Sequence, residues 1–358
     1  MLLKWFVGSN SKRKITTSIE KKDIDMKKIL FFGEPLIRIT PVDYGKLGDN
    51  VMATLNYGGS EVNVAKALQG FGIETKILTG LPNDALGDGL IEYLNMFNID
   101  IRNIFRVGNR IGLYYLEEGY GLKNNNIYYD RKNTSINDIQ LEQIDVNSLF
   151  ENITHFHFSG ITASISQQVR VILEFLIMEA KKRNIVISMD LNLRRKMISI
   201  KDAKIKFSEF VEDVDYCFGI EPLLTYDEDF EMFNKENATV YDIKRRMEIL
   251  KEKFKLKGIF HTDRKIDINQ LNSYKAYCLI DDFYESKLLT TPILDRVGSG
   301  DAFVAGALYG LINEMNPNDT INLGVASATY KCCIRGDNMY EKICDVKALL
   351  DSQEYLIR

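Results

Sequence analysis

No apolar run in the chain approaches the ~18–20 residues of a membrane span. No C-x-x-C pair occurs either, and the five cysteines, Cys217, Cys278, Cys332, Cys333 and Cys344, are an odd number. That pattern argues for reduced thiols in a cytoplasmic protein and against a disulfide framework. A large excess of one charge is lacking: a formal net charge of -4 gives no reason to expect nucleic acid or a membrane surface as partner. Histidine is scarce too. His155 and His157 form an H-x-H pair, but alternation through Phe156 and Phe158 predicts a plain strand ahead of a metal pair. Internal repeats and low-complexity tracts are lacking, and the acidic run Asp227-Glu228-Asp229 reads as a solvated loop.

What is present is ordinary for a globular protein: 45% hydrophobic and 27% charged residues over 358 positions. That length allows one large or two small domains and a core buried without staples. The N-terminus begins apolar and then becomes charged, the wrong order for a signal peptide. Met26 precedes KKILFFGEP, a basic lead into a buried strand. The expected layout is therefore a loose extension over 1–26 and a folded unit over 27–358.

Short apolar runs alternate with helical patterns. Strands are expected at Ile29–Phe32, Lys76–Leu78, Ile185–Met189, Val214–Phe218, Gly258–His261 and Leu288–Thr291. Helices are expected at Ser60–Phe71, Ser166–Arg183 and Asp242–Phe254, with apolar residues at helical spacing. The alternation predicts an α/β fold with a mostly parallel sheet covered on both faces. Two regions break the rhythm, 36–58 and 108–132. Tyr, Gly and Asn are frequent there and polarity alternates, which predicts antiparallel strands forming a small lid.

The stretch Leu294–Leu311 reads LDRVGSGDAFVAGALYGL. A helix starting near Asp301 leaves its first N–H groups unpaired and forms a weak positive pole. Gly298 and Gly300 let the backbone bend tightly and approach an anion. A bare Gly-x-Gly-Asp is equally a strand–turn–helix with an Asp cap. Competing phosphate loops fit poorly. G-x-x-x-x-G-K-[ST] is absent, and Phe303 interrupts a dinucleotide G-x-G-x-x-G, which disfavours an oxidoreductase.

D-R-V-G-S-G-D-A-F-V-A-G, Asp295–Gly306, resembles the C-terminal signature of the ribokinase-like (PfkB) carbohydrate kinases. GGSEVNVAKALQGFG, Gly58–Gly72, resembles their N-terminal signature. The resemblance implies a three-layer α/β/α sandwich, ATP and Mg²⁺ as cofactors, and a monovalent cation such as K⁺. It makes Asp301 the general base for a sugar hydroxyl, and the amides of Gly298, Ser299 and Gly300 the anion hole. A base at a helix N-terminus is expected to be weak, because the dipole favours its ionised form. Phosphoryl transfer needs alignment and charge neutralisation more than a strong base.

ILFFGEPLIRITP, RIGLYYLEEG, NIYYDRKNTS and SMDLNLRRKM are similar to segments of 2-dehydro-3-deoxygluconokinases within that family. The resemblance thus implies phosphorylation of 2-dehydro-3-deoxy-D-gluconate to its 6-phosphate. Arg131 and Arg194 suit a carboxylate, since guanidinium can form two parallel N–H bonds. Gly59, Asn63, Tyr114, Tyr129, Asn192 and Asp337 carry over as further substrate-binding positions. Pairing through the lid would give a homo-oligomer. The match departs in two places. The family's N-x-x-E corresponds to FGIEP, Phe218–Pro222, with Gly219 at the first position and Glu221 one residue early, so Glu221 would act on metal only indirectly. HTDRKIDIN, His261–Asn269, lacks the glycines usual on the nucleotide side, leaving Thr262 and Arg264 as phosphate-facing candidates with Gly219. A fructokinase or ribokinase, or a sugar-binding sensor weak in catalysis, are the competing readings.

Overall fold

The computed structural model describes residues 27–351 except 236 and 268–270. Expectations for Met26, for residues 1–26 and for the end of the His261–Asn269 stretch lie outside the described residues. Fourteen strands are found among them: β1 (Lys28–Phe32), β2 (Leu36–Pro41), β3 (Ala53–Gly58), β4 (Glu74–Leu81), β5 (Asp100–Arg106), β6 (Gly112–Glu117), β7 (Asn126–Asp130), β8 (His155–Ser159), β9 (Val186–Asp190), β10 (Tyr216–Phe218), β11 (Gly258–Ile266), β12 (Leu271–Leu279), β13 (Phe283–Glu285) and β14 (Leu289–Pro292).

The main sheet runs β13-β12-β11-β10-β9-β8-β1-β4-β5, with β14 beside β12. From β11 to β5 every pair is parallel; β12 meets β11, β13 and β14 antiparallel. A parallel sheet covered on both faces needs apolar residues on both. β1 shows why KILFF does not alternate. Leu30 and Phe32 join one buried cluster, and Ile29 and Phe31 join the other on the opposite face. The helix Gln167–Lys182 buries Val169, Ile172, Leu173, Leu176 and Ala180 in the first cluster. The helices Ser60–Gly70 and Ser299–Ile312 contribute to the second. The result is the expected three-layer α/β/α arrangement.

Boundaries move where local chemistry was not visible in the periodicity. The helix expected from Asp242 starts at Val240, because Thr239 and Asp242 form a reciprocal capping box. β11 continues past His261 to Ile266 because it pairs with β12 along its length. His157 is fully buried in strand β8, with Nδ1 2.8 Å from Ser188 Oγ, and burial pushes it down to about 3. In the acidic run expected to be a solvated loop, Asp227 and Glu228 are exposed but Asp229 is not. It is buried, its Oδ1 lies 3.2 Å from Lys204 Nζ, and its Oδ2 accepts from Thr225 N at 3.0 Å and Oγ1 at 2.7 Å. A fully buried ammonium needs a counter-charge, and this loop supplies one.

A second sheet has the order β3-β2-β6-β7. It occupies the two regions expected to break the rhythm. Its outer pairs are antiparallel, while β2 and β6 at its centre run parallel. Met52, Leu55 and Tyr128 on and beside it are exposed. Among the described residues, no helix is long and apolar enough to cross a membrane.

Candidate active site

The polar groups gather beyond the carboxyl ends of the parallel strands, where open α/β sheets hold ligands. The helix Ser299–Ile312 begins there. Its N-cap, Gly298, is left-handed at φ 78°. A Cβ at that position would sit 1.7 Å from the Asp337 carbonyl oxygen. Glycine is therefore required by both torsion and space. Gly300 differs: a Cβ there would meet nothing within 4 Å. Its side faces open space, where an incoming group can approach the backbone. The turn engages the Ser299 amide, which donates to the Arg296 carbonyl at 3.1 Å. Of the three amides expected to bind an anion, those of Gly298 and Gly300 are left without a backbone acceptor among the described residues.

Asp301 stands in the first turn of this helix and is 8% exposed. Ser60 Oγ donates to its Oδ1 at 2.9 Å, Asn63 Nδ2 donates to its Oδ2 at 2.7 Å, and Asn192 Nδ2 reaches Oδ1 at 3.4 Å. Two signature segments far apart in the chain are thus joined at one carboxylate. Burial pushes the Asp301 carboxyl upward; the bonds from Asn63 and Ser60 and the charges of Arg194 and Lys331 oppose it. The sequence reading expected the dipole to dominate and leave a weak base. Enclosure by the Ser60–Gly70 helix removes water from the carboxylate, and desolvation is the larger effect.

Asp190, at the end of β9, was not singled out from the sequence. Its Oδ1 accepts from Asn192 N at 3.2 Å. Burial and then the like charge of Asp301 push it up to about 7, with Arg194 opposing. An aspartate closing an apolar strand, two residues before Asn192, was the available signal.

Gly59 caps the Ser60–Gly70 helix at φ 118°, where a Cβ would lie 2.5 Å from the Glu34 carbonyl oxygen. Protein packing alone demands glycine here. Tyr114 and Tyr129 face one another across β6 and β7 with ring centroids 6.2 Å apart. Arg131 is held by buried Glu34, its Nε donating at 2.8 Å and its Nη2 also bonding the same oxygen. Thr134 Oγ1 donates to the other Glu34 oxygen. The neighbouring Asp130 is taken by Arg110 at 2.6 Å. Glu34 was missed because it follows β1 closely in sequence and meets Arg131 only through the fold. Arg194 is exposed and has no carboxylate partner among the described residues. Asp337 is buried, and its carboxylate faces Arg38 Nε at 3.0 Å and the Tyr114 hydroxyl. It is not an open contact point.

On the other side of the turn, Gly219 follows β10 and donates from its amide to the Phe260 carbonyl at 2.8 Å. Thr262 and Arg264 lie on β11; Arg264 Nη1 is 3.5 Å from Ser299 Oγ. Glu221 is enclosed by cations, Arg246 at Oε1 and Lys204 Nζ 3.4 Å from Oε2, and Phe233 N donates to Oε1 at 3.1 Å. It does not present a free carboxylate to a metal. Among the described residues no three His, Cys, Asp or Glu side chains group closely enough to hold a metal ion.

The model of pfkB family carbohydrate kinases matches residues 26–263. The chain belongs to this family. Its fold is ribokinase-like and its activity class is sugar kinase. Several solved and curated family proteins are similar over nearly the whole chain. A 2-dehydro-3-deoxygluconokinase from Thermotoga maritima is 28% identical with a TM-score of 0.84, covering 91% of this chain and 100% of that one. A 2-dehydro-3-deoxygalactonokinase from Haloferax volcanii is 25% identical, covering 87% of this chain and 92% of the relative. A 2-dehydro-3-deoxygluconokinase from Thermoproteus tenax is 24% identical, covering 87% and 90%. An Escherichia coli protein solved with ATP and Mg²⁺ shares the fold at 18% identity and a TM-score of 0.72, covering 91% of this chain and 99% of that one.

Proposed function

We propose that the protein transfers the γ-phosphoryl group of MgATP to the terminal hydroxyl of 2-dehydro-3-deoxy-D-gluconate. The observation that carries this reading is the convergence of the buried Asp301 carboxylate, fixed by Ser60 and Asn63, and two unclaimed amides at the start of one helix. In the proposed step Asp301 accepts the proton of the sugar hydroxyl as the new P–O bond forms, and the Gly298 and Gly300 amides meet the charge on the transferring group. Ser60, Asn63 and Asn192 fix the Asp301 carboxylate so that it need not reorganise. Mg²⁺ would be supplied with ATP and would neutralise phosphate charge there, no three His, Cys, Asp or Glu side chains among the described residues grouping closely enough to hold it. Arg264, beside Ser299, faces the phosphates.

Tyr114 and Tyr129 support the carbon skeleton, and Arg131 and Arg194 take the sugar carboxylate. Arg131→Gln is expected to raise KM for the acid sugar about 10–100-fold, because a hydrogen bond to a charged group contributes about 1.5–3 kcal/mol. The preference for acid over neutral sugar, measured as the ratio of kcat/KM values, should fall by a similar factor. An unchanged ratio would remove Arg131 from carboxylate recognition.

The reading is tested by presenting purified protein and MgATP with 2-dehydro-3-deoxy-D-gluconate, its galactonate epimer, fructose and ribose, and assigning the product by ³¹P NMR. Rapid turnover of a neutral sugar with the acids untouched would overturn it. The galactonate epimer is the second reading, favoured by the Haloferax relative. Self-association through the second sheet is supported by the exposed Met52, Leu55 and Tyr128. Replacing Met52 and Leu55 by Asp should halve the solution mass measured by light scattering; a wild-type protein already monomeric at micromolar concentration refutes the pairing.

A further inference from the structure

Lys331 ends the helix Pro317–Lys331 and is completely buried. Its Nζ donates to the Ile334 carbonyl at 2.9 Å and to the Asp295 carbonyl at 3.2 Å. The ammonium therefore ties together two segments that shape the glycine turn. Asp295 opens the turn, and Leu294 N and Asp295 N both bond the Cys332 carbonyl, at 2.9 and 3.3 Å. Residues 334–337 flank it: Gly336 N donates to Asp295 Oδ2 at 3.0 Å, and the Asp337 carbonyl oxygen occupies the space a Gly298 side chain would need. A buried charge is costly unless it is paired and hydrogen-bonded. Burial pushes the Lys331 ammonium down, and the charges of Asp295 and Asp337 oppose that shift. Asp301, pushed up by burial, is drawn down by the charge of Lys331.

A cation seated on backbone carbonyls is the arrangement K⁺ adopts when oxygens of the chain replace its water. The family resemblance implies such an ion, but the oxygens of Asp295 are already engaged. Its carbonyl takes Lys331, its Oδ1 accepts from Val297 N at 2.9 Å, and its Oδ2 accepts from Gly336 N and from Arg38 Nη2 at 2.9 Å. Arg38 Nε lies 3.0 Å from Asp337 Oδ1. Charge is matched as well. Asp295 and Asp337 face Arg38 and Lys331, so a further cation among them would lack a counter-charge. K⁺ does not fit beside these residues.

We propose that the Lys331 ammonium takes the place of that ion. It is a positioning residue on the protein side of the turn. It holds Asp295 and residues 334–337 together and adds fixed positive charge behind the Gly298 and Gly300 amides, so turnover needs no added K⁺. The proposal rests on the sugar-kinase reading of the turn and is independent of which sugar is the substrate.

The test uses the full chain with the best substrate of the panel above, in tetramethylammonium buffer to which KCl or NH₄Cl is added. KCl is expected to change wild-type kcat less than about 2-fold and to leave its thermal midpoint unmoved, since no empty site is there to bind it. Lys331→Ala removes the ammonium and leaves room for a small cation. Its kcat should fall about 10–100-fold, the size of losing one nearby charge. KCl or NH₄Cl should recover about 5-fold or more of that loss and raise the variant's midpoint. Lys331→Met fills the same space with an apolar chain and should lose activity without recovery. Wild-type kcat that responds to KCl beyond the stated factor overturns the assignment. So does Lys331→Met at wild-type kcat, or a Lys331→Ala loss that neither salt restores, which would leave Lys331 a support of the fold only. Should neither variant fold, the wild-type response decides alone. A wild-type protein that phosphorylates no sugar refutes the kinase reading instead, while the thermal midpoints still report whether Lys331 fills a cation site.

Discussion

Asp301→Asn is expected to bind acid sugar and MgATP within a few-fold of wild type and to lose about 10²–10⁴ in kcat, the range a positioned general base contributes. The substitution keeps the size of the side chain and one acceptor for Ser60 Oγ, while turning the other group towards the Asn63 amide as a competing donor. Single-turnover kinetics with direct binding of both substrates separates the two effects. Full activity in the variant would exclude Asp301 from proton transfer.

The same carboxylate predicts the pH profile. Burial raises Asp301, Asp190 is pushed up to about 7, and Asp337 to about 6. A base must be ionised to act, so raising its pKa moves the loss of activity to higher pH. The acid limb of kcat/KM is expected above the ordinary aspartate range near pH 4. Asp190→Asn removes a like charge beside Asp301 and should shift that limb to lower pH; an unmoved limb would show that the two carboxylates are not coupled. Stability follows the same sign. Each of these groups favours the protonated form when folded, so each stabilises the fold at low pH. That contribution is lost as pH rises from about 4 through the folded values near 6 and 7.

Gly298→Ala carries the second large effect. An L-residue at φ 78° is strained, and the new Cβ would lie 1.7 Å from a backbone oxygen that cannot rotate away. The turn must open, which displaces both the amides and the first turn of the Asp301 helix. We expect kcat to fall at least 10³-fold and the protein to lose roughly 2–4 kcal/mol of stability, measured by urea denaturation. Gly300→Ala is the matched control. Its Cβ meets no protein atom within 4 Å, so stability should hold within about 0.5–1 kcal/mol while turnover drops. Equal stability losses in the two variants would show that the open face at Gly300 is not there for a ligand.

Much of this was legible before any coordinates. The parallel sheet followed from short apolar runs separated by helical periods, because strands buried on both faces lose their alternation. The helix expected from Ser166 begins behind that hydroxyl cap, whereas the Thr239 cap starts the other helix ahead of its expected Asp242. The Gly-Ser-Gly-Asp turn could be read as an anion site because only glycine admits the backbone it needs. Asp301, Asn63 and Asn192 could be named as candidates from the family resemblance.

What could not be read were pairings across long sequence distance. Arg131 meets Glu34, Arg38 meets Asp295, and Lys204 meets Asp229 and Glu221. Each is a buried charge whose partner is selected by the fold, and a linear pattern has no term for it. The ionisation of Asp301 belongs to the same class. Sequence placed it at a helix N-terminus, where the dipole acts within one turn of the chain; only the packed structure decided how much water remains around it. The chain by itself determined the elements and the residue types that chemistry requires, since those depend on neighbours a few positions apart. Tertiary structure alone decided burial, partner and protonation, since desolvation and Coulomb energy depend on distance through space.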